Sequence, residues 1–152
     1  MKNLKDIVVE KLKINKDTGN HNYNYHPKTK DELCELVDEL IEKRGNNADL
    51  NDIDTAEITD MSYMFNYSNF NGDISNWNVS NVENMNRMFA YSKFNGDISN
   101  WDVSNVEYMI YMFQDSKFNG DISKWDVGNV ESMYEMFLGS PLEKNPPKWY
   151  KD

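Results

Sequence analysis

Four aspartates recur at one interval. Asp49, Asp73, Asp97 and Asp121 are evenly spaced along the chain. A column of carboxylates is the side-chain set that a hard cation such as calcium uses, but calcium takes six to eight oxygens. The unit around each Asp lacks the dense Gly/Asp pattern that would supply them. The competing reading is that each Asp caps a local turn by accepting backbone N–H groups, and that reading is favoured. The methionines at 61, 64, 85, 88, 109, 112, 133 and 136 share the same interval. Met fills irregular gaps in a stack, so this column reads as core and not as a soft-metal site. His21 and His26 fall in a predicted loop, and Cys34 is the single cysteine. No nucleophile motif, Gly-rich phosphate loop or metal-spaced ligand set is present. The expectation is a protein with no catalytic residue, no metal and no cofactor.

The elements that must position these columns are the repeats themselves. Phe70–Ser75, Phe94–Ser99 and Phe118–Ser123 are the same six residues, and Trp77, Trp101 and Trp125 share the interval. A fixed short period marks units that each bury an apolar side against their neighbours. Ile74, Trp77 and Val79 read as a short extended segment, which stacks into a narrow parallel sheet with about 4.8 Å between strands. Ser80 with Glu83 and Ser104 with Glu107 read as capping boxes. They would open helical segments carrying Val82, Met85, Met88, Phe89 and their equivalents, with a weaker start at Gly128 in the fourth unit. Asn71-Gly72 reads as the turn back, with Gly supplying positive φ. Asn81, Asn105 and Asn129 read as a ladder of bonds to backbone.

Residues 1–45 are expected to form an N-terminal helical cap. Residues 4–14 fit a helix or a strand, with helix slightly favoured, and residues 18–27 read as loop. Thr29 with Glu32, the stripe Leu33, Leu36, Val37, Leu40 and Ile41, and Gly45 after Lys43-Arg44 mark a capped amphipathic helix. Residues 46–141 divide into four units, the first degenerate, with Leu50, Ile53 and Thr55 in the Ile74, Trp77 and Val79 positions. Residues 142–152 read as a C-terminal cap in which Leu142, Trp149 and Tyr150 fold over the last edge.

The net charge is −10, and residues 46–152 hold all of it, with seven basic and seventeen acidic residues. Such a surface disfavours nucleic acid and anionic membrane, and favours a basic partner. No apolar run approaches membrane-spanning length. No signal-peptide core is visible, so as written the chain reads as cytoplasmic, or else as part of a longer secreted protein displayed at a cell surface.

The string Phe94-Asn95-Gly96-Asp97-Ile98-Ser99-Asn100-Trp101-Asp102-Val103-Ser104-Asn105-Val106, closed by Met109, Met112 and Phe113, resembles the repeat of BspA-like leucine-rich-repeat proteins. The resemblance spans about 46–140, with weaker likeness at His26–Leu33 and Pro146–Tyr150. It implies a right-handed leucine-rich-repeat solenoid, of α/β repeat class. It also implies adhesion or protein–protein binding, often at a cell surface, with no catalytic residues.

Residues that vary against the constant scaffold are the ones left for specificity. Tyr63, Arg87, Tyr108, Ile110, Tyr111 and Tyr134 form the candidate binding face, and Tyr67 and Tyr91 extend it. Exposed Tyr is a typical interface anchor. The first reading is a non-enzymatic protein-binding module. The alternative is a small acidic inhibitor, of a kind phages encode, that covers the basic nucleic-acid-binding surface of an enzyme.

Overall fold

The computed structural model describes residues 3–6, 10 and 23–152. Residues 4–6 and 10 are helical. The remainder of the 4–14 expectation, and most of the 18–27 loop including His21, lies outside the described residues.

The Lys30–Arg44 helix forms where the capping pattern placed it. Thr29 Oγ1 accepts the Glu32 N–H (3.2 Å), and Gly45 donates its N–H to Ile41 (2.7 Å). Glu32 accepts the Lys28 N–H (3.0 Å), one residue before the usual box partner, Thr29. Leu33, Leu36, Val37 and Leu40 are buried and join one core with the first repeat unit. Glu39 is buried too, and Lys43 one turn on holds its carboxylate at 2.9 Å. Arg44 clamps Asp52 with both guanidinium nitrogens (2.9 Å each) and lies over the Tyr25 ring.

The expected solenoid with a narrow parallel sheet is not there. Among the described residues the β-pairing consists of five isolated bridges. Within residues 23–152 the helical elements are Lys30–Arg44 and one 3₁₀ turn, Pro141–Glu143. The helical segments expected after Ser80, Ser104 and Gly128 are absent as well. Residues 80–92 run through turns, and the Ser80/Glu83 and Ser104/Glu107 boxes are not formed.

The reason is local. Asn78 Oδ1 accepts the Ser80 N–H (3.0 Å) and hydroxyl (2.6 Å), and Asp102 does the same for Ser104. Each Ser is thus bound in an Asx turn and is not free to cap a helix. Downstream, Tyr63, Tyr67, Arg87, Tyr91, Tyr111, Asp115 and Glu135 all have φ between 45° and 61°. Two left-handed residues, four apart, in each unit break both strand and helix geometry.

A different ladder joins the units. Met61, Tyr63, Phe65 and Tyr67 donate their N–H groups to Asn84, Asn86, Met88 and Ala90 of the next unit (2.8–3.0 Å). Met64, Asn66 and Ser68 between them donate three residues back, within their own unit. The same alternation recurs from 85–91 to 108–114 and from 109–115 to 132–138. All four bonds of each run point toward the C-terminal neighbour. Other bonds, such as Glu83 to Thr59 and Lys93 to Ser68, point the opposite way.

Aromatic rings fill the interior. Phe65, Phe89, Phe113 and Phe137 stack nearly parallel with centroids 5.6, 5.5 and 5.8 Å apart. A second column, Phe70, Phe94 and Phe118, lies against the first at 5.0, 4.6 and 4.5 Å. Each Trp indole N–H donates to a main-chain carbonyl of the preceding unit: Trp77 to Leu50, Trp101 to Ile74 and Trp125 to Ile98. Those carbonyls also accept a main-chain N–H from within their own unit, so it is the buried indole N–H that would be left unpaired without this bond.

The tail continues this pattern. Trp149 follows Trp125 by one further repeat interval, stacks on it at 6.3 Å, and donates to Ile122 (2.9 Å). Leu142 takes the Phe position at the same interval. The last unit's Glu135 and Gly139 have no following unit to receive their N–H groups. Asp152 accepts from Glu135 (3.1 Å), and Glu143 accepts from Gly139 (3.2 Å). At the opposite end, where the first unit has no predecessor, Lys30 donates to Ser62 Oγ (2.7 Å) and lies 3.8 Å from Asp60. Cation at the carbonyl end and carboxylates at the N–H end complement the direction of the four-bond runs, as charges do at helix ends.

Gly72 does not adopt the positive φ expected of it. Its role is close approach. A Cβ there would collide with the Ala48 carbonyl oxygen and sit 2.6 Å from the Phe70 ring.

Candidate binding face

The aspartate column resolves into turns. Asp73 Oδ1 accepts the Ser75 N–H (2.9 Å) and hydroxyl (2.7 Å), Asp97 does so for Ser99, and Asp49 and Asp121 accept the N–H two residues on. Bonds from Ser75, Ser99, Ser104 and Ser123 hold the Asp73, Asp97, Asp102 and Asp121 carboxyls below their ordinary 3.8. Among the described residues no three His, Cys, Asp or Glu converge as a cation would require.

These depressed values carry a stability consequence. A carboxyl whose pKa is lower folded than unfolded stabilises fully above the unfolded value, and that contribution is lost as pH falls through the folded one. Replacing Ser75, Ser99 and Ser123 together by Ala should therefore flatten the fall in Tm between about pH 4 and pH 2. Thermal melts followed by circular dichroism read this directly. An acid limb as steep as the wild type's would refute the assignment.

The Asn column bonds to backbone: Asn81, Asn105 and Asn129 donate to the carbonyls of Ala56, Ser80 and Ser104 (2.6–2.7 Å). Glu83, Glu107 and Glu131 share a shallow groove with them and give that edge its charge. The Cys34 thiol, half-buried, lies 3.7 Å from Met64 Sδ, and burial raises its pKa. His26 Nδ1 lies 3.4 Å from Asp54.

The varying residues separate into two sets. Tyr63, Arg87 and Tyr111 occupy one left-handed column, which Glu135 ends. The Arg87 guanidinium lies 4.4 Å from the Tyr111 ring centre, and Tyr134 meets Tyr111 edge-on at 5.6 Å. Lys30 lies 5.9 Å from the Tyr63 ring centre. Tyr63 and Tyr134 are about half exposed. Tyr108 and Ile110 belong elsewhere. Tyr108 lies in the bridge column with Asp60, Asn84 and Ser132, and its hydroxyl donates to Glu131 (3.1 Å). Ile110 is half-buried, and its N–H is held by Asn86 Oδ1 (2.7 Å).

Tyr67 and Tyr91 head the second left-handed column, followed by Asp115 and Gly139. Their rings stack at 4.6 Å and 4°, with Tyr67 69% and Tyr91 38% exposed. Gln114 bridges the columns, donating to the Tyr91 hydroxyl (3.2 Å) and accepting from Arg87 (3.4 Å). Asp115 and Gln114 escaped the sequence reading. The signal was present, since Asp115 stands one repeat interval from Tyr91, but an Asp among many Asp residues does not stand out.

A left-handed conformation costs a non-glycine residue roughly 1–2 kcal/mol. Gly139 (φ 71°) shows that this backbone accepts glycine at the Tyr67/Tyr91 position. Exposed tyrosines therefore occupy sites where a smaller residue would fold more easily. Such strain on an exposed surface points to the side chain being used.

Among the described residues no helix is long and apolar enough to cross a membrane. A protein-family model matches residues 35–149, and its description reads "Mycoplasma protein of unknown function, DUF285". No curated protein and no solved structure matches the chain.

Proposed function

The chain belongs to the DUF285 family, and from that premise we propose that it is a non-enzymatic protein-binding module whose contact surface is the stripe Tyr63, Tyr67, Arg87, Tyr91, Tyr111 and Tyr134. The observation that carries this reading is the row of exposed rings held at left-handed backbone positions. Tyr and Arg supply large contact area and polar tips together, which is why they dominate interface energetics. The resemblance of the repeats to BspA-like proteins points the same way.

Affinity capture tests it. The wild type is compared with a Tyr67→Gly/Tyr91→Gly/Tyr111→Gly variant and a Tyr108→Phe control. The triple variant should lose its captured partner by about tenfold or more, while the control keeps it. Equal capture by all three would remove the stripe from consideration. A second reading rests on the acidic groove of Glu83, Glu107 and Glu131. There the chain covers a basic nucleic-acid-binding surface as an inhibitor. In that case capture survives the triple variant and falls steeply with added salt.

A further inference from the structure

Resting on the stripe reading, we infer that Tyr67, Tyr91 and Asp115 form a docking site for an arginine side chain of the partner protein. Three observations converge. The rings of this same stripe already receive cations from within the chain, Lys30 at Tyr63 and Arg87 at Tyr111. The Tyr67–Tyr91 pair is exposed, at 69% and 38%, and among the described residues no Lys or Arg lies over either ring. The next residue of that column is a carboxylate, Asp115, close enough to the Tyr91 hydroxyl to raise its pKa after the larger effect of partial burial.

A guanidinium is planar and weakly hydrated, so it stacks on a ring while its edge N–H groups bond a carboxylate. An ammonium is a compact, strongly hydrated charge and gains less from such a site. The repeat region's excess of seventeen acidic over seven basic residues draws a cationic segment toward the face. The exposed Lys93 and Lys117 lie two residues beyond Tyr91 and Asp115 along the chain and oppose that attraction locally. They favour a partner with single spaced arginines over a dense polybasic run.

The test titrates the intact protein with three short peptides of Gly-Ser background. They carry three spaced arginines, three lysines, or three citrullines, the last being neutral and of nearly the same shape. Calorimetry gives the affinities, and NMR shifts of the Tyr rings give the location. The arginine peptide should bind about tenfold more tightly than the lysine or citrulline peptide. Tyr67→Asn/Tyr91→Asn and Asp115→Asn should each erase most of that preference. Asn tolerates the left-handed backbone, and unchanged melting temperatures confirm that the variants fold. Equal binding of the lysine peptide reduces the effect to general acidity and overturns the site. So does an arginine preference that survives both variants. If the arginine peptide fails while capture still depends on the stripe, the stripe reading stands and the arginine site falls. If capture ignores the stripe while the peptide preference holds, only the partner reading falls.

Discussion

Phe89→Ala should destabilise the protein by about 3–5 kcal/mol. Phe89 is fully buried in the middle of the longer ring column, between Phe65 and Phe113, with Phe94 at 4.6 Å and Trp101 at 6.2 Å. Removing the ring forfeits its transfer free energy and opens a cavity. The surrounding rings cannot collapse into it, because their spacing is fixed by backbone bonds on either side. Phe89 packs on Phe65 of the first unit and on Phe94, Trp101 and Phe113 of the third, so the loss falls on both sides of the second unit. Urea unfolding should show the midpoint drop together with a lower slope, as the two halves of the array uncouple. A loss below about 1 kcal/mol would mean that the rings repack, which a close-packed column does not permit.

The second large effect is at a residue with no side chain. Gly72→Ala should cost about 2–3 kcal/mol, because the added Cβ meets a backbone oxygen as well as a ring. That oxygen, on Ala48, already accepts the Asp73 N–H at 2.9 Å. Moving it breaks the junction through which the Lys30–Arg44 end of the molecule grips the repeats. Gly128→Ala is the control. There the nearest atom is the Asp126 Oδ1 at 3.1 Å, at the end of an exposed side chain. Its effect should stay within about 0.5 kcal/mol. Thermal unfolding of the two variants side by side measures the contrast, and equal values would put close approach at Gly72 in doubt.

The columns were legible because burial imposes them. Phe, Trp, Val and Met recur at one fixed interval since each must meet its own counterpart, and Leu33 to Leu40 announce a helix by period and caps alike. What lay hidden was backbone conformation. Tyr63, Tyr67, Arg87, Tyr91 and Tyr111 carry no mark of a left-handed φ, which sequence reading assigns to Gly and Asn. Ser80-x-x-Glu83 has the letters of a helix start, yet Asn78 two residues earlier competes for the same Ser and wins. The candidate residues do not all lie together in the structure. Variation picked out Tyr63, Arg87, Tyr111 and Tyr134, but it also picked Tyr108 and Ile110, whose contacts are internal to the stack. Trp149 could have been placed by counting one more interval from Trp125. The flanking Pro146-Pro147 erases the rest of the motif and so disguises the register.

The charged groups at the two ends address a hazard that folding alone leaves open. Units of one shape, joined by bonds of one repeating pattern, contain no internal instruction to stop, and a bare terminal unit is a template for another chain. Lys30 on the Ser62 hydroxyl beside the first unit, and Asp152 and Glu143 on the N–H groups of Glu135 and Gly139, place a cation at one end and carboxylates at the other. A second copy meeting the last unit end to end finds two of its ladder N–H groups, those of Glu135 and Gly139, already taken. The same stacking that makes the array cohere is thereby kept from seeding a fibre.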